Sequence, residues 1–249
     1  MTSAPAAGAD GSVPDPSAPA VTLDVWRLRP RDAVRAMAAI PRWGHTSDRH
    51  ATGEVGFTRL LGTGGSRFTP GSADLTRWVS LTVWTSTPPS SPPWARHALD
   101  HWQARLAPLT SHGRWAGQAP FTAPGRAVAA TWRGEVLALT RARLRPRRAL
   151  TFWRAVPPVA RALAGTDGLR ATMGVGEAPV GYQGTLSLWR DSEAVADFAW
   201  RDPAHRAVVD RTPRVAWYAE ELFARFAVLD RTDSLAVWAD RPRRTERAA

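Results

Sequence analysis

The chain contains no cysteine. That excludes disulfides, thiolate nucleophiles, thiolate-ligated haem and cysteine-bound zinc. It contains no lysine either, so all 33 basic residues are arginine. No apolar run approaches the roughly 18 residues that a membrane-spanning helix needs. The N-terminus has no basic start followed by an apolar block, so no secretory leader is expected. Phosphate loops, Gly-x-Ser-x-Gly and Gly-x-Gly-x-x-Gly are also missing, which removes the common nucleotide-binding and serine-hydrolase signatures. The expected location is cytoplasmic, with peripheral membrane docking as the only membrane contact.

What is present supports a folded enzyme-sized chain. At 249 residues and 44% hydrophobic composition it can fill a core. The formal net charge is +11. A basic stripe would point to nucleic acid, but the arginines are scattered, with short clusters only at Arg145–Arg148 and Arg241–Arg247. Arginine without lysine, amid abundant Ala, Pro and Gly, matches codon usage in a GC-rich genome. No nucleic-acid partner is expected. Positive charge also suits an anionic membrane face or an acidic redox partner.

Residues 1–20 are small, polar and proline-rich and read as a disordered tail. Between the tails the chain resembles itself. Leu-Arg-Pro-Arg occurs at 28–31 and 144–147, Gly-Thr-Gly at 62–64 answers Gly-Val-Gly at 174–176, SLTVW at 80–84 answers TLSLW at 185–189, and ARLA at 104–107 answers ARFA at 224–227. Four matches in one order, at offsets of 116, 112, 105 and 120, indicate a duplication with loop changes. The boundaries are 21–125 for a divergent first repeat, 126–230 for the second, and 231–249 for a C-terminal tail.

Each half reads as β-α-β-β-α-β. Val21–Arg27 and Val136–Ala142 are strands by their apolar pattern. Pro30 and Pro146 suit first helical turns. The first-half helix should run to about Ile40. The second-half helix, to about Leu163, has Trp153, Val156, Val159, Ala160 and Leu163 on one face, with a kink expected at Pro157-Pro158. Two strands follow in each half (Gly56–Leu61 and Trp78–Trp84; Leu169–Val175 and Gln183–Trp189), and Asp191 or Ser192 caps a further helix in the second. Trp102–Leu109 and Glu221–Leu229 end the repeats. From 189 to 222 the second half spends 33 residues where the first spends 18, so only the second has room for a long helical excursion. The fold class is α+β: tandem ferredoxin-like repeats packed face to face as a dimeric-type α+β barrel.

Histidine carries what chemistry the residues offer. His97 and His101 are four apart, a chelating spacing if they share a helix, but no glutamate completes a zinc-protease pattern. His45, His50 and His112 read as surface loop residues. Glu220 and Glu221 read as exposed or ion-paired, and Arg145, Arg147 and Arg148 as a solvated face. His205, in DPAHRAVV, is the lone histidine of the second half. It reads either as an exposed residue near a helix start or as a haem axial ligand facing a cavity, since imidazole ligates iron where cysteine is absent. The 13 tryptophans serve core packing or line an apolar pocket.

The runs ALTRARLRPRRALTFWRAVP (138–157), MGVGEAPVGYQGTLSLW (173–189), PAHRAVVDRTPRVAWYAEELFARFAVL (203–229) and GRWAGQAPF (113–121) resemble the spheroidene monooxygenase family of carotenoid biosynthesis. The resemblance covers about residues 100–230. It implies a monooxygenase of the dimeric α+β barrel type. It further implies bound b-type haem with His205 as ligand, molecular oxygen as co-substrate, an apolar substrate such as a carotenoid, and a ferredoxin-type electron donor. It names no catalytic side chain. The rival readings are a cofactor-free barrel oxygenase, a non-catalytic barrel protein of the same fold, and a charge-driven membrane or nucleic-acid binder.

Overall fold

The computed structural model describes residues 21–35, 55–65, 72–85, 95–122, 131–177 and 182–240. The elements are β1 (Val21–Leu28), β2 (Val55–Gly64), β3 (Ala73–Trp84), β4 (Ala98–Gly113), β5 (Val136–Leu144), α1 (Ala149–Ala164), β6 (Leu169–Gly176), β7 (Tyr182–Trp189), α2 (Ser192–Arg201), α3 (Pro203–Val215) and β8 (Tyr218–Arg231). Residues 30–35 are helical as well, opening at Pro30. No helix among the described residues is long and apolar enough to cross a membrane.

The eight strands close into an antiparallel barrel in the order β1-β3-β2-β6-β7-β5-β8-β4. Alternation along each strand separates two environments. Leu23, Leu81, Leu139, Leu186, Phe226 and their neighbours fill the barrel interior. Val136, Trp189 and Ala227 point outward and meet Leu163 of α1 and Ala194 and Val195 of α2. This is an α+β fold with its second-half helices on the outer face of the sheet.

The repeated tripeptides meet each other. Gly62, Thr63 and Gly64 of β2 pair with Gly176, Val175 and Gly174 of β6. On the opposite seam Ala107 of β4 pairs with Ala227 of β8, the last residues of the two ARLA-type segments. The flanking registers also match: Leu23 lies between Leu81 and Ala104, and Leu139 lies between Leu186 and Ala224. Leu23 and Leu139, Leu81 and Leu186, and Ala104 and Ala224 stand at the offsets of 116, 105 and 120 seen in the sequence.

Local rules account for most boundaries. Asp191 caps α2, its side chain accepting from the Ala194 N–H at 2.8 Å. Pro146 lies in a 3-10 turn, Pro146–Arg148, before α1 begins. Helix α1 continues through Pro157 and Pro158 rather than ending there. The excursion read as one helical region is two helices, divided at Asp202-Pro203, where Asp202 ends α2 and caps α3. After β8 the chain returns to the barrel: Val237 and Trp238 are buried, and the fully buried Arg77 guanidinium donates to the Trp238 carbonyl at 2.6 Å and the Ala239 carbonyl at 3.1 Å. Of the segment read as a tail, the part up to about Asp240 is therefore packed structure. Residues 1–20, 241–249, His45 and His50 lie outside the described residues.

Candidate functional site between the helices and the sheet

Inside the barrel, the described residues leave a small void where β2 meets β6. At the end near β2 and β6 the void lined by Leu61, Trp115, Leu139, Val175 and Gly184 is about the size of one water. A charge network closes that end. Arg141 is ion-paired to both Glu220 and Glu177, Arg59 reaches Glu177 at 3.3 Å, and the Trp115 indole donates to Glu177 at 2.8 Å. Burial lowers the Arg59 guanidinium from its usual value, although Glu177 opposes that shift. Opposite charges balance within the group, so it reads as a structural plug.

The outer face of the first half holds a second polar group. The His101 Nε2 lies 2.8 Å from the Asp24 carboxylate, to which Gln103 also donates at 2.8 Å. The His101 ring stacks on Trp26 with centroids 3.6 Å apart. His97 is in a 3-10 turn and its Nδ1 sits 4.0 Å from Asp32. The i,i+4 spacing of His97 and His101 does not lie on a helix: His101 is in β4, and the two rings serve different aspartates. His112, expected in a loop, is an exposed residue of β4. No cluster of three or more metal-ligating side chains occurs among the described residues.

His205 lies in the first turn of α3. Its backbone N–H is held by the Asp202 carboxylate at 2.7 Å. Its Nδ1 is 3.0 Å from the Ala199 carbonyl, and a carbonyl only accepts, so Nδ1 carries the proton. In the neutral ring this leaves the lone pair on Nε2, and among the described residues nothing hydrogen-bonds that atom. Phe198, 5.0 Å away, fixes the other side of the ring and packs in turn on Trp189 at 5.7 Å. A ligating histidine is typically oriented in this way, with its second nitrogen anchored on a carbonyl.

The surroundings are incompletely covered. Helix α1 has Phe152, Trp153, Val156, Val159 and Ala160 half-buried, and Leu163 is its only buried residue. Helix α3 buries none, and its inward residues His205, Val208, Thr212 and Val215 are half-buried. On the sheet, Phe223 points outward and is 39% exposed, beside Thr140 of β5. The start of α1 is tied down where Trp217 donates to Thr151 at 3.0 Å. Tyr218 nearby is pushed up to about 12 by burial and by Glu221, so it remains a neutral phenol. The donor set suits a haem-like group: one oriented imidazole nitrogen, the apolar face of α1, and a sheet face where Phe223 and Ala138 stand among the small hydroxyl residues Thr140, Thr185 and Ser187. Of the residues singled out from sequence, His205 alone belongs to this region. The α1 side chains were legible as an apolar helix face, and Phe223 only as a residue of the last strand.

Solved structures with the same fold include an aldoxime dehydratase (TM-score 0.52, 11% identity, covering 87% of this chain and 83% of that one). Another is an aldoxime dehydratase in complex with butyraldoxime (TM-score 0.52, 10% identity, 87% and 81%). At such identity the likeness concerns fold alone. No family model matches the chain. Among curated proteins, the spheroidene monooxygenase of Rhodobacter capsulatus is 31% identical over 185 residues, covering 70% of this chain and 76% of that protein. Those of Cereibacter sphaeroides (28% over 193 residues) and Rubrivivax gelatinosus (35% over 137 residues) are matched over 58% and 50% of their own lengths, so the chain spans about half of each. The repeated motifs, the order of the elements and these relatives agree: the chain belongs to the spheroidene monooxygenase family.

Proposed function

We propose that the protein is a monooxygenase that holds haem through His205 and oxidises a long apolar substrate such as a carotenoid. The observation that carries the reading is the His205 ring, with Nδ1 anchored on the Ala199 carbonyl and Nε2 left to ligate. The names of the curated relatives support the oxygenase class. Bound there, haem would supply the activation of dioxygen for insertion into a C–H bond.

The chain's own part is orientation and dryness. The Ala199 carbonyl fixes the tautomer and raises the basicity of the ligating nitrogen. Phe198 and the capped turn at Asp202 hold the ring in place. The apolar face of α1, with Phe223 on the outer sheet, excludes water and orients a hydrocarbon chain. One substrate C–H, one dioxygen, two electrons and two protons give one alcohol and one water. A second round at the same carbon gives a geminal diol, which loses water to a ketone. The electrons come from a ferredoxin-type donor in this reading. Exposed Leu150, two and three residues after Arg148 and Arg147, and exposed Trp200, next to Arg201, support docking on an anionic membrane face from which an apolar substrate is taken.

The barrel is, in the same reading, a ferredoxin-like unit duplicated within one chain, as a dimeric α+β barrel would be with its subunits fused. The matching registers at Leu23 and Leu139 support it. The site developed on the half with the longer excursion.

The test is the visible spectrum of protein expressed with haem supply, beside His205→Ala and His205→Gly. The expected result is a Soret band near one haem per chain that is lost or shifted in both variants. Free imidazole should restore it to His205→Gly. A folded wild type without a Soret band overturns the haem reading in favour of a cofactor-free barrel, and an unchanged band in both variants moves the ligand elsewhere.

A further inference from the structure

Along β8 the residues alternate cleanly. Leu222, Ala224 and Phe226 face the barrel interior, while Ala227 faces the helices. Arg225 and Phe223 share the face of Ala227. Arg225 is half-buried, and its cross-strand neighbours are Ala138 of β5 and Thr110 of β4, neither of them acidic. No hydrogen bond or ion pair reaches its guanidinium among the described residues. Other inward or shielded strand arginines are all partnered: Arg27 by Asp74, Arg77 by Asp240 and carbonyls, Arg141 by two glutamates, Arg231 by Glu135. Burial lowers the Arg225 guanidinium from its usual value with no carboxylate to offset it.

A desolvated cation without a counter-charge is unfavourable, and a planar guanidinium matches a carboxylate in a two-bond fork. The sheet face around Arg225 carries Ala138, Phe223 and Ala227 with the hydroxyl residues Thr110 and Ser187 and no carboxylate, and it belongs to the same layer as His205. Ala138 beside Arg225, and Phe198 beside the His205 ring, pack on one cluster that contains Ala227, Val195 and Trp189. We propose that Arg225 is the carboxylate anchor of the site between helices and sheet, taking a propionate of the haem whose iron His205 would hold. The assignment rests on the haem reading above. It adds the second contact that fixes the rotation of a flat group about a single axial ligand.

The experiment compares wild type, Arg225→Gln and Arg225→Lys as apoproteins. Each is titrated with haem and with haem dimethyl ester, which lacks the carboxylates, and affinity is read from the Soret change. Loss of a charge-assisted pair predicts a Kd for haem about ten- to a hundredfold higher in Arg225→Gln, partial recovery in Arg225→Lys, and no difference between wild type and Arg225→Gln for the ester. Retinoate and retinol, titrated by tryptophan quenching, separate the other carboxylate source. If Arg225→Gln keeps its haem affinity but loses retinoate relative to retinol, Arg225 still anchors a carboxylate, that of the substrate. Unchanged binding of both acids, or equal loss of haem and its ester, overturns the anchor while leaving haem in place. A wild type that takes up no haem overturns the haem reading and the propionate assignment together.

Discussion

Glu220 and Arg141 form an ion pair that fastens β8 to β5 at the closed end of the barrel. The same carboxylate accepts the N–H groups of Ala116 and Gly117 at 2.9 and 2.8 Å, tying down the turn after β4. Burial alone would raise the Glu220 carboxyl. The two N–H groups and Arg141 outweigh it, and the carboxyl is held below its ordinary value. A carboxylate lowered on folding stabilises the protein above its unfolded value of about 4.3, and that contribution is lost as pH falls through the lowered folded value. Glu220→Gln should therefore cost about 1–3 kcal/mol near pH 7, and the gap to wild type should close below about pH 4. Urea unfolding midpoints from pH 3 to 7 check this. A gap independent of pH would show that the side chain acts by shape alone.

His101 should matter to stability and not to haem. Its ring covers Trp26 and satisfies Asp24, which is buried. Removing it leaves the carboxylate with Gln103 as its remaining named side-chain donor. His101→Ala is expected to cost about 1–3 kcal/mol and to leave any Soret band unaltered. A spectral change in this variant would place the iron on the first half instead.

Much of this architecture was legible because local rules and long-range packing agree. The strands around Leu23, Leu139, Leu186 and Phe226 alternate, and the barrel uses that alternation directly. The paired Gly-x-Gly segments were visible as a repeat, but their meeting on one seam was not, since composition does not reveal which strand edges close a barrel. The spacing of His97 and His101 suggested a helix; a strand starting at Ala98 places their rings beside different partners. The partners of Arg141 are distant in sequence, so no window could pair them. The break at Asp202-Pro203 carries a local signal, a capping aspartate before proline at a first helical position, which agrees with reading His205 as near a helix start. Arg225 was hidden, since one arginine in an alternating strand looks like any solvent-facing residue until the helices are placed above it.

That break sets the position of His205. Asp202 closes α2, opens α3 and holds the His205 N–H. Asp202→Ala removes a cap and should cost about 1 kcal/mol, while Asp202→Asn should retain most of it. Haem dissociation, followed by transfer to apomyoglobin, should be faster in Asp202→Ala than in Asp202→Asn. Equal rates would show that the turn is held by packing around Phe198 and not by the cap.

The C-terminal return is the last determinant of the barrel. Trp238 meets Trp102 edge-on at 5.1 Å inside it, and Arg77, with no exposed side-chain surface, directs its donors at the carbonyls of residues 238 and 239. Trp238→Ala should cost about 3–5 kcal/mol through lost packing and the cavity left behind. Ending the chain at Ser234 should cost more, because it also leaves the Arg77 cation buried without the Trp238 and Ala239 carbonyls and Asp240. In contrast, ending it at Asp240 keeps every one of these contacts and should leave the thermal midpoint within a few degrees of the full chain. Thermal unfolding of the three proteins ranks the contributions. If the Ser234 truncation were as stable as the full chain, the segment would be an appendage, and the buried charge of Arg77 would have to be balanced by Asp74 and the carbonyl of Gly64.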